Sequence, residues 1–354
     1  MPLVEGNKLQ IQKVLVLGGG VAGMTSALEA AAKGLEVCLV EKASDIGGWA
    51  YTYCCKATDI CAKCSACLVP QAKMHVEKNP RITLFCDSEI TGISGEPGNY
   101  RITLKTGQDR SIDLEAGAII VATGFTPFDP ALKGEFAYDR EKNVITGLEL
   151  EQALRDKGSL VAAFGKVRSI GFVQCVGSRD LALGNNYCSK VCCMYAAKLA
   201  RVIRSELPEA ELTIFYMDFQ TFGKGFDEFY RSAREDDKIQ FVRGIPAKVF
   251  GFPYDRLTVR YANSMTGEAI EDKFDLIVLS AAITPGEDTQ KTASMLNIET
   301  DEHGFFKVST LDPVGTRQPG VFIAGTCQSP KDIPQSTEQG KAAAGAAIRF
   351  LTGK

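Results

Sequence analysis

The first clear apolar run is KVLVL at residues 13–17, and it ends in Gly18-Gly19-Gly20. A continuous run of this kind predicts a strand buried on both faces. The next stretch, VAGMTSALEAAAKG (21–34), spaces its small and apolar residues as a helix does and stops at a glycine. LEVCLVEK (35–42) then predicts a second strand. Strand, glycine turn, helix and strand in this order open a doubly wound sheet. ITLFCDSEITGISG and YRITLKTG predict strands separated by turns, and AGAIIVATGF (116–125) predicts another buried strand ending in a glycine turn.

The pattern restarts near Lys142. LELEQALRDKG predicts a helix and KVRSIGFVQ a strand; a cysteine-bearing run follows. A helix is predicted from Cys192 through MYAAKLARVIRSEL, then a strand at AELTIFYMD (210–218) and another at FDLIVLSAAITP. PGVFIAGT (319–326) predicts a strand returning to the first unit, and STEQGKAAAGAAIRFLTG a closing helix. The expected fold is α/β, with a discontinuous domain from 1–141 and 285–354 and an inserted Rossmann-like domain over 142–284. No short internal repeat or low-complexity tract interrupts it.

Composition adds little to this picture but removes several function classes. The 354 residues suit about two domains. The formal net charge of −3 and the single Trp give no nucleic-acid footprint. No apolar run reaches the ~18 residues of a membrane span, and the N-terminus shows no export signal, so a cytoplasmic protein is expected. Twelve cysteines in such a chain point to metal or redox chemistry rather than disulfides.

Gly18-x-Gly20-x-x-Gly23 sits where a dinucleotide-binding turn belongs, and Glu41 follows 18 residues after Gly23 at the end of the next strand. Glycines there let a pyrophosphate approach the helix N-terminus, and the acid grips a ribose hydroxyl. FAD is preferred to NAD. Gly47-Gly48 is a second glycine turn common in two-dinucleotide-binding flavoproteins; Ala122-Thr123-Gly124 resembles their second signature and GVFIAGT their flavin-contacting one, with Thr326 in place of the usual acid. A helix starting near Pro334 would aim its positive end at the flavin's pyrimidine edge.

The most distinctive run is GFVQCVGSRDLALGNNYCSKVCCMYAAK. Cys175, Cys188, Cys192 and Cys193 are spaced Cys-x12-Cys-x3-Cys-Cys, at the place where a flavin reductase of this fold carries its nicotinamide-binding glycines. Four thiols in so short a stretch match the ligand set of a 4Fe-4S cluster. Buried structural thiols and zinc are the alternatives, although zinc sites favour spaced Cys-x2-4-Cys knuckles. A second group, Cys54, Cys55, Cys61, Cys64 and Cys67, contains part of a ferredoxin motif. It reads equally as a redox pair, an interface metal site or packing. Cys38, Cys86 and Cys327 read as core residues.

GFVQCVGSRD, YCSKVCCMYAAK, KCSACLVPQAKM and GTCQSPKDIPQSTEQGKAAA together resemble the A-type heterodisulfide reductase (HdrA) family over nearly the whole chain. The resemblance implies a thioredoxin/glutathione-reductase-like flavoprotein. Cys175, Cys188, Cys192 and Cys193 would carry the 4Fe-4S cluster. FAD would be bound by Gly18, Gly20, Val21, Ala22 and Gly23, by Glu41, Lys42, Gly47, Gly48 and Trp49, by Ile90, and by Ala122, Thr123 and Gly124. Gly325, Thr326, Ile333 and Pro334 would complete that site.

Lys198 matches a family lysine near the reactive flavin nitrogen, or else is an exposed helix lysine. The expected partners are B- and C-type heterodisulfide-reductase-like subunits and a second copy of the chain. The length resembles the compact form of sulfur oxidisers, and one cluster set leaves electron bifurcation without a low-potential exit. The rival reading is a stand-alone NAD(P)H-dependent disulfide reductase, but Gly171-Phe172-Val173-Gln174-Cys175-Val176-Gly177 lacks the second GxGxxG it requires. A non-catalytic assembly scaffold holding FAD and metal structurally is a third reading.

Overall fold

The computed structural model describes residues 11–251 and 256–353. The reading of the first ten residues as free of an export signal lies outside the described residues. The chain forms two compact units, one from 1–51, 67–125 and 285–354 and the other from 52–66 and 126–284.

In the first unit β1 (Lys13–Leu17) runs into α1 (Val21–Ala32) and β2 (Glu36–Val40). α2 (Val69–Glu77) leads to β3 (Ile82–Phe85). β4 (Ser88–Glu96), β5 (Asn99–Thr106) and β6 (Ser111–Ala116) form an antiparallel three-stranded sheet, and β7 (Ala118–Val121) rejoins the main one. The chain leaves through β8 (Phe125–Pro127).

The second unit begins with β9 (Val144–Thr146), α3 (Gly147–Lys157), α4 (Leu160–Phe164) and β10 (Ser169–Val176). α5 (Cys192–Glu206), β11 (Glu211–Tyr216), α6 (Phe226–Glu235) and β12 (Gln240–Arg243) continue it. β13 (Pro246–Gly251), β14 (Leu257–Ala262) and β15 (Ala269–Phe274) make an antiparallel sheet, and β16 (Leu276–Ala281) completes the parallel one. The chain returns through β17 (Ile283–Pro285) to α7 (Thr289–Leu296), β18 (Val321–Ile323) and α8 (Ile333–Thr352).

Each unit is built on a five-stranded parallel sheet, ordered β18-β7-β1-β2-β3 in the first and β12-β11-β10-β16-β9 in the second. Parallel sheets are covered on both faces, which is why the central strands are apolar without alternation. Val14, Leu15 and Val16 are fully buried, and so are Ile119, Ile120 and Val121. α8 packs on α1 through small residues: Ala343, Ala344 and Ala347 are fully buried, and Ser26 Oγ donates to Gly340 O at 2.9 Å. Helix starts follow local chemistry. Thr146 and Glu149 form a capping box on α3, and Asp332 with Gln335 forms another on α8.

Two boundaries differ from the sequence reading. Residues 126–141 belong to the second unit, because Phe128 and Phe136 join its core with Val173, Val176 and Phe215. Residues 52–66 also belong to it, although sequence continuity assigns them to the first. Cys54 enters the core beside Leu150 and Leu154, and Lys56 Nζ meets the Glu151 carboxylate at 2.6 Å. Among the described residues no helix is long and apolar enough to cross a membrane.

Candidate functional site

In the first unit the expected cofactor positions gather at the carboxyl ends of β1, β2 and β7. Gly18 has φ +100°, and a Cβ there would lie 2.3 Å from Ala122 O. Gly23 admits no side chain either, since its Cβ would lie 1.8 Å from Gly18 O. The two glycines therefore let α1 start directly against the turn. A Cβ at Gly20, by contrast, would meet nothing within 4 Å, so this side of the loop opens onto free space at the start of α1. Val21 and Ala22 form the first turn of that helix. The positive end of a helix over an open backbone cradle suits a pyrophosphate.

Glu41 stands at the end of β2. Its Oε2 accepts the Gly19 N–H at 2.6 Å and its Oε1 the Ala43 N–H at 2.8 Å. A carboxylate has about four lone-pair sites, so capacity remains for a ribose hydroxyl while the loop is braced. Gly47 N donates to Gly19 O at 2.8 Å, and a Cβ on Gly48 would lie 3.2 Å from Gly20 Cα, which brings the second glycine turn against the first. Trp49 Nε1 donates to Phe125 O at 3.2 Å, with the ring 42% exposed.

Ala122, Thr123 and Gly124 follow β7, and Gly325 approaches Ala22. Thr326 lies near Gly124, and Ile333 and Pro334 open α8. Two positions have other engagements. The Ile90 side chain is packed in the core with Tyr100 and Leu104, and the Lys42 amine is paired with Asp288.

The cysteine site in the second unit rests on a break in β10. The register with β16 shifts between Val173 and Val176, and Cys175 adopts φ +61°. The chain then makes a hairpin in which Arg179 N donates to Tyr187 O at 2.9 Å, and Asp180 and Asn185 exchange two backbone bonds. This hairpin returns Cys188 toward Cys175. Cys192 and Cys193 open α5, whose positive end favours thiolate.

The Cys192 thiol is pushed well above the ordinary value, first by its side-chain interactions with Cys175 and Cys193 and then by burial. The same interaction with Cys192 lowers Cys175 and brings Cys193 down to about 7. Burial raises Cys188, against the opposing effect of the Lys190 amide, which donates to its sulfur at 3.2 Å. All twelve cysteines are unbridged.

Among the described residues no group of three or more His, Cys, Asp or Glu side chains converges as a metal site. The donor chemistry nevertheless fits a thiolate-held group. Gln174, one residue before Cys175, is buried, and among the described residues neither of its side-chain polar atoms finds a partner. The Ser178 hydroxyl is likewise orphaned. Buried polar atoms without partners are costly unless something else satisfies them.

Residues 12–344 match the family model described as pyridine nucleotide-disulphide oxidoreductase. The chain belongs to that family. It is therefore an oxidoreductase, and its fold implies FAD. The resemblance to the A-type heterodisulfide reductases is also borne out. The chain is 32% identical, over 99% of its length, to the A subunit of H(2):CoB-CoM heterodisulfide,ferredoxin reductase of Methanothermobacter thermautotrophicus. It is 32% identical, over 96%, to an iron-sulfur A subunit of the CoB–CoM heterodisulfide reductase of Methanopyrus kandleri. It spans 66% and 64% of those two relatives.

Thioredoxin reductase from Lactococcus lactis shares the fold at TM-score 0.64, with 21% identity over 97% of this chain and 100% of that one. The T. acidophilum enzyme does so at 0.61, with 18% identity over 95% and 98%.

Lys198 is not an exposed helix lysine. It is 5% exposed on α5, with Nζ 4.5 Å from the Phe226 ring centre. Of the second cysteine group, Cys54 is core packing, whereas Cys55, Cys61 and Cys67 are exposed.

Sequence reasoning misses Glu151 and Lys56, the Arg179–Asp218 pair, and the orphaned Gln174 and Ser178. GSRD lies in plain view, but nothing in it signals that its arginine turns back toward the thiols.

Proposed function

We propose that this chain is an electron-transfer subunit of a heterodisulfide-reductase-like complex, holding FAD in the first unit and a 4Fe-4S cluster on Cys175, Cys188, Cys192 and Cys193 in the second. When bound, FAD supplies two-electron storage and the cluster single-electron exchange. The chain's residues set the conditions for both. Gly18, Gly20 and Gly23 admit the pyrophosphate, and Glu41 orients the ribose. The capped N-terminus of α8 favours negative charge. The two α5 cysteines and the bulge at Cys175 offer thiolates at one end of a parallel sheet.

B- and C-type subunits would carry the thiol–disulfide or sulfur chemistry, with the chain acting as a homodimer in cytoplasmic sulfur oxidation. One complete cysteine set supports relay without electron bifurcation. The observation that carries this reading is the exchange of glycines for electrostatically coupled thiols between β10 and α5, where a pyridine nucleotide would otherwise be gripped.

The test is an anaerobic reductive titration followed by visible and EPR spectra, with iron and flavin counted per chain. About four irons, by the usual cubane stoichiometry, one FAD and a reduced-cluster signal would support it. FAD without iron, reduced by NADH in one two-electron step, would replace it with a stand-alone disulfide reductase.

A further inference from the structure

The turn after Cys175 carries a cation held toward the thiols. Arg179 adopts φ +54°, a left-handed conformation uncommon for a side-chain-bearing residue. The hairpin enforces it through the bond from Arg179 N to Tyr187 O and the paired bonds of Asp180 and Asn185. On the far side Asp218, in the loop after β11, accepts from Arg179 Nη2 at 2.8 Å. The backbone oxygen of the same Asp218 lies 3.8 Å from Cys193 Sγ. One residue, Asp218, thus holds the guanidinium through its carboxylate and meets Cys193 through its backbone, with the Arg179 side chain 29% exposed. Arg243 also reaches Asp218, at 3.4 Å. The charge of Arg179 works to lower the Cys175, Cys188 and Cys193 thiols, although burial leaves Cys188 raised; the arginine itself is raised first by Asp218 and then by Cys175 and Cys188.

We propose that Arg179, clamped by Asp218, is the residue that sets the reduction potential of the group held by Cys175, Cys188, Cys192 and Cys193. The inference rests on the ligand assignment above. A thiolate-held cluster gains one negative charge when it takes up one electron. A fixed cation beside it stabilises the reduced form and raises the potential. Asp218 opposes this by neutralising part of the guanidinium charge. Arg179 is therefore a positioning and tuning residue that leaves the ligand set itself unchanged.

The pair makes a signed test. In full-length protein reconstituted anaerobically, iron is counted first. The midpoint potential is then read by EPR-monitored redox titration. Arg179→Gln should lower the reduced-to-oxidised ratio at a fixed solution potential about tenfold, a shift of about 59 mV for one electron. Arg179→Lys should recover most of it. Asp218→Asn keeps the backbone oxygen beside Cys193 and frees the arginine, so it should move the potential the opposite way.

Equal potentials in wild type and Arg179→Gln, or shifts of the same sign in Arg179→Gln and Asp218→Asn, would overturn the proposal. If Arg179→Gln loses its iron, Asp218→Asn decides alone: an upward shift supports the proposal and an unchanged potential overturns it. Wild-type protein that binds no iron would instead overturn the ligand assignment, and this inference with it.

Discussion

Lys56 and Glu151 form an ion pair closed off from solvent: Nζ lies 2.6 Å from the carboxylate, and the two side chains are 3% and 6% exposed. The Cys54 N–H donates to the same carboxylate at 3.0 Å. Removing one partner of such a pair strands a buried charge, at a cost of about 3–5 kcal/mol, whereas replacing both by apolar residues is often neutral. Lys56→Met should therefore destabilise the second unit strongly, and Lys56→Met/Glu151→Leu much less. Urea unfolding measures both; equal losses in the single and double variants would show that the charge itself is not the issue.

Gly23→Ala should abolish flavin binding, because its Cβ would lie 1.8 Å from Gly18 O and force α1 off the turn. Overpacking of this kind costs roughly 1–3 kcal/mol or more. Glu41→Gln is milder. It keeps an acceptor for Gly19 but turns an NH2 donor toward the Ala43 N–H and loses the charge, and should weaken FAD by at least about tenfold. Bound flavin after gel filtration and fluorescence titration separate the two outcomes.

Cys175→Ala should reduce iron to background while FAD remains stoichiometric. A variant with full iron and an unchanged visible spectrum would exclude Cys175 as a ligand.

Alkaline pH should loosen residues 52–66. The Cys54 thiol is pushed from 9.0 up to about 12, mainly by burial and then by the charge of Glu151. A folded value above the unfolded one means that the protonated thiol's contribution is complete below about pH 9 and is lost as pH rises toward 12. The loss is at most about 1.4 kcal/mol per pH unit. Between pH 8 and pH 10 the urea midpoint should fall in the wild type and fall less in Cys54→Ala. Parallel falls would show that another group carries the alkaline effect.

The sequence displays whatever is enforced locally. β1 and β7 are legible because a doubly covered parallel strand tolerates only apolar residues. The Gly18–Gly23 turn is legible because two of its positions exclude any Cβ. Thr146 with Glu149 spells a helix start in four residues. The cysteine spacing is legible because a bulge, a hairpin and a helix start fix all four cysteines within one continuous stretch.

Contacts between distant stretches leave no such trace. Lys56 looks like one more surface lysine until Glu151, on α3, is folded over it. Lys198 occupies a helix position that sequence leaves undecided, and α6 buries it by laying Phe226 alongside. Arg179 takes a glycine-like backbone angle without being glycine, so no propensity announces it. Ile90 shows a different limit. The sequence places it at the cofactor, but its side chain is held in the core with Ile102 and Leu104.

The order in which the two units become complete during synthesis follows from how the chain is divided between them. A nascent chain that has reached residue 284 already contains every strand of the second parallel sheet and all four cysteines of the 175–193 run. It still lacks β18, which closes one edge of the first sheet, and α8, which covers α1. The second parallel sheet and its thiols can thus form before the first unit closes, which waits until β18 and α8 have been made.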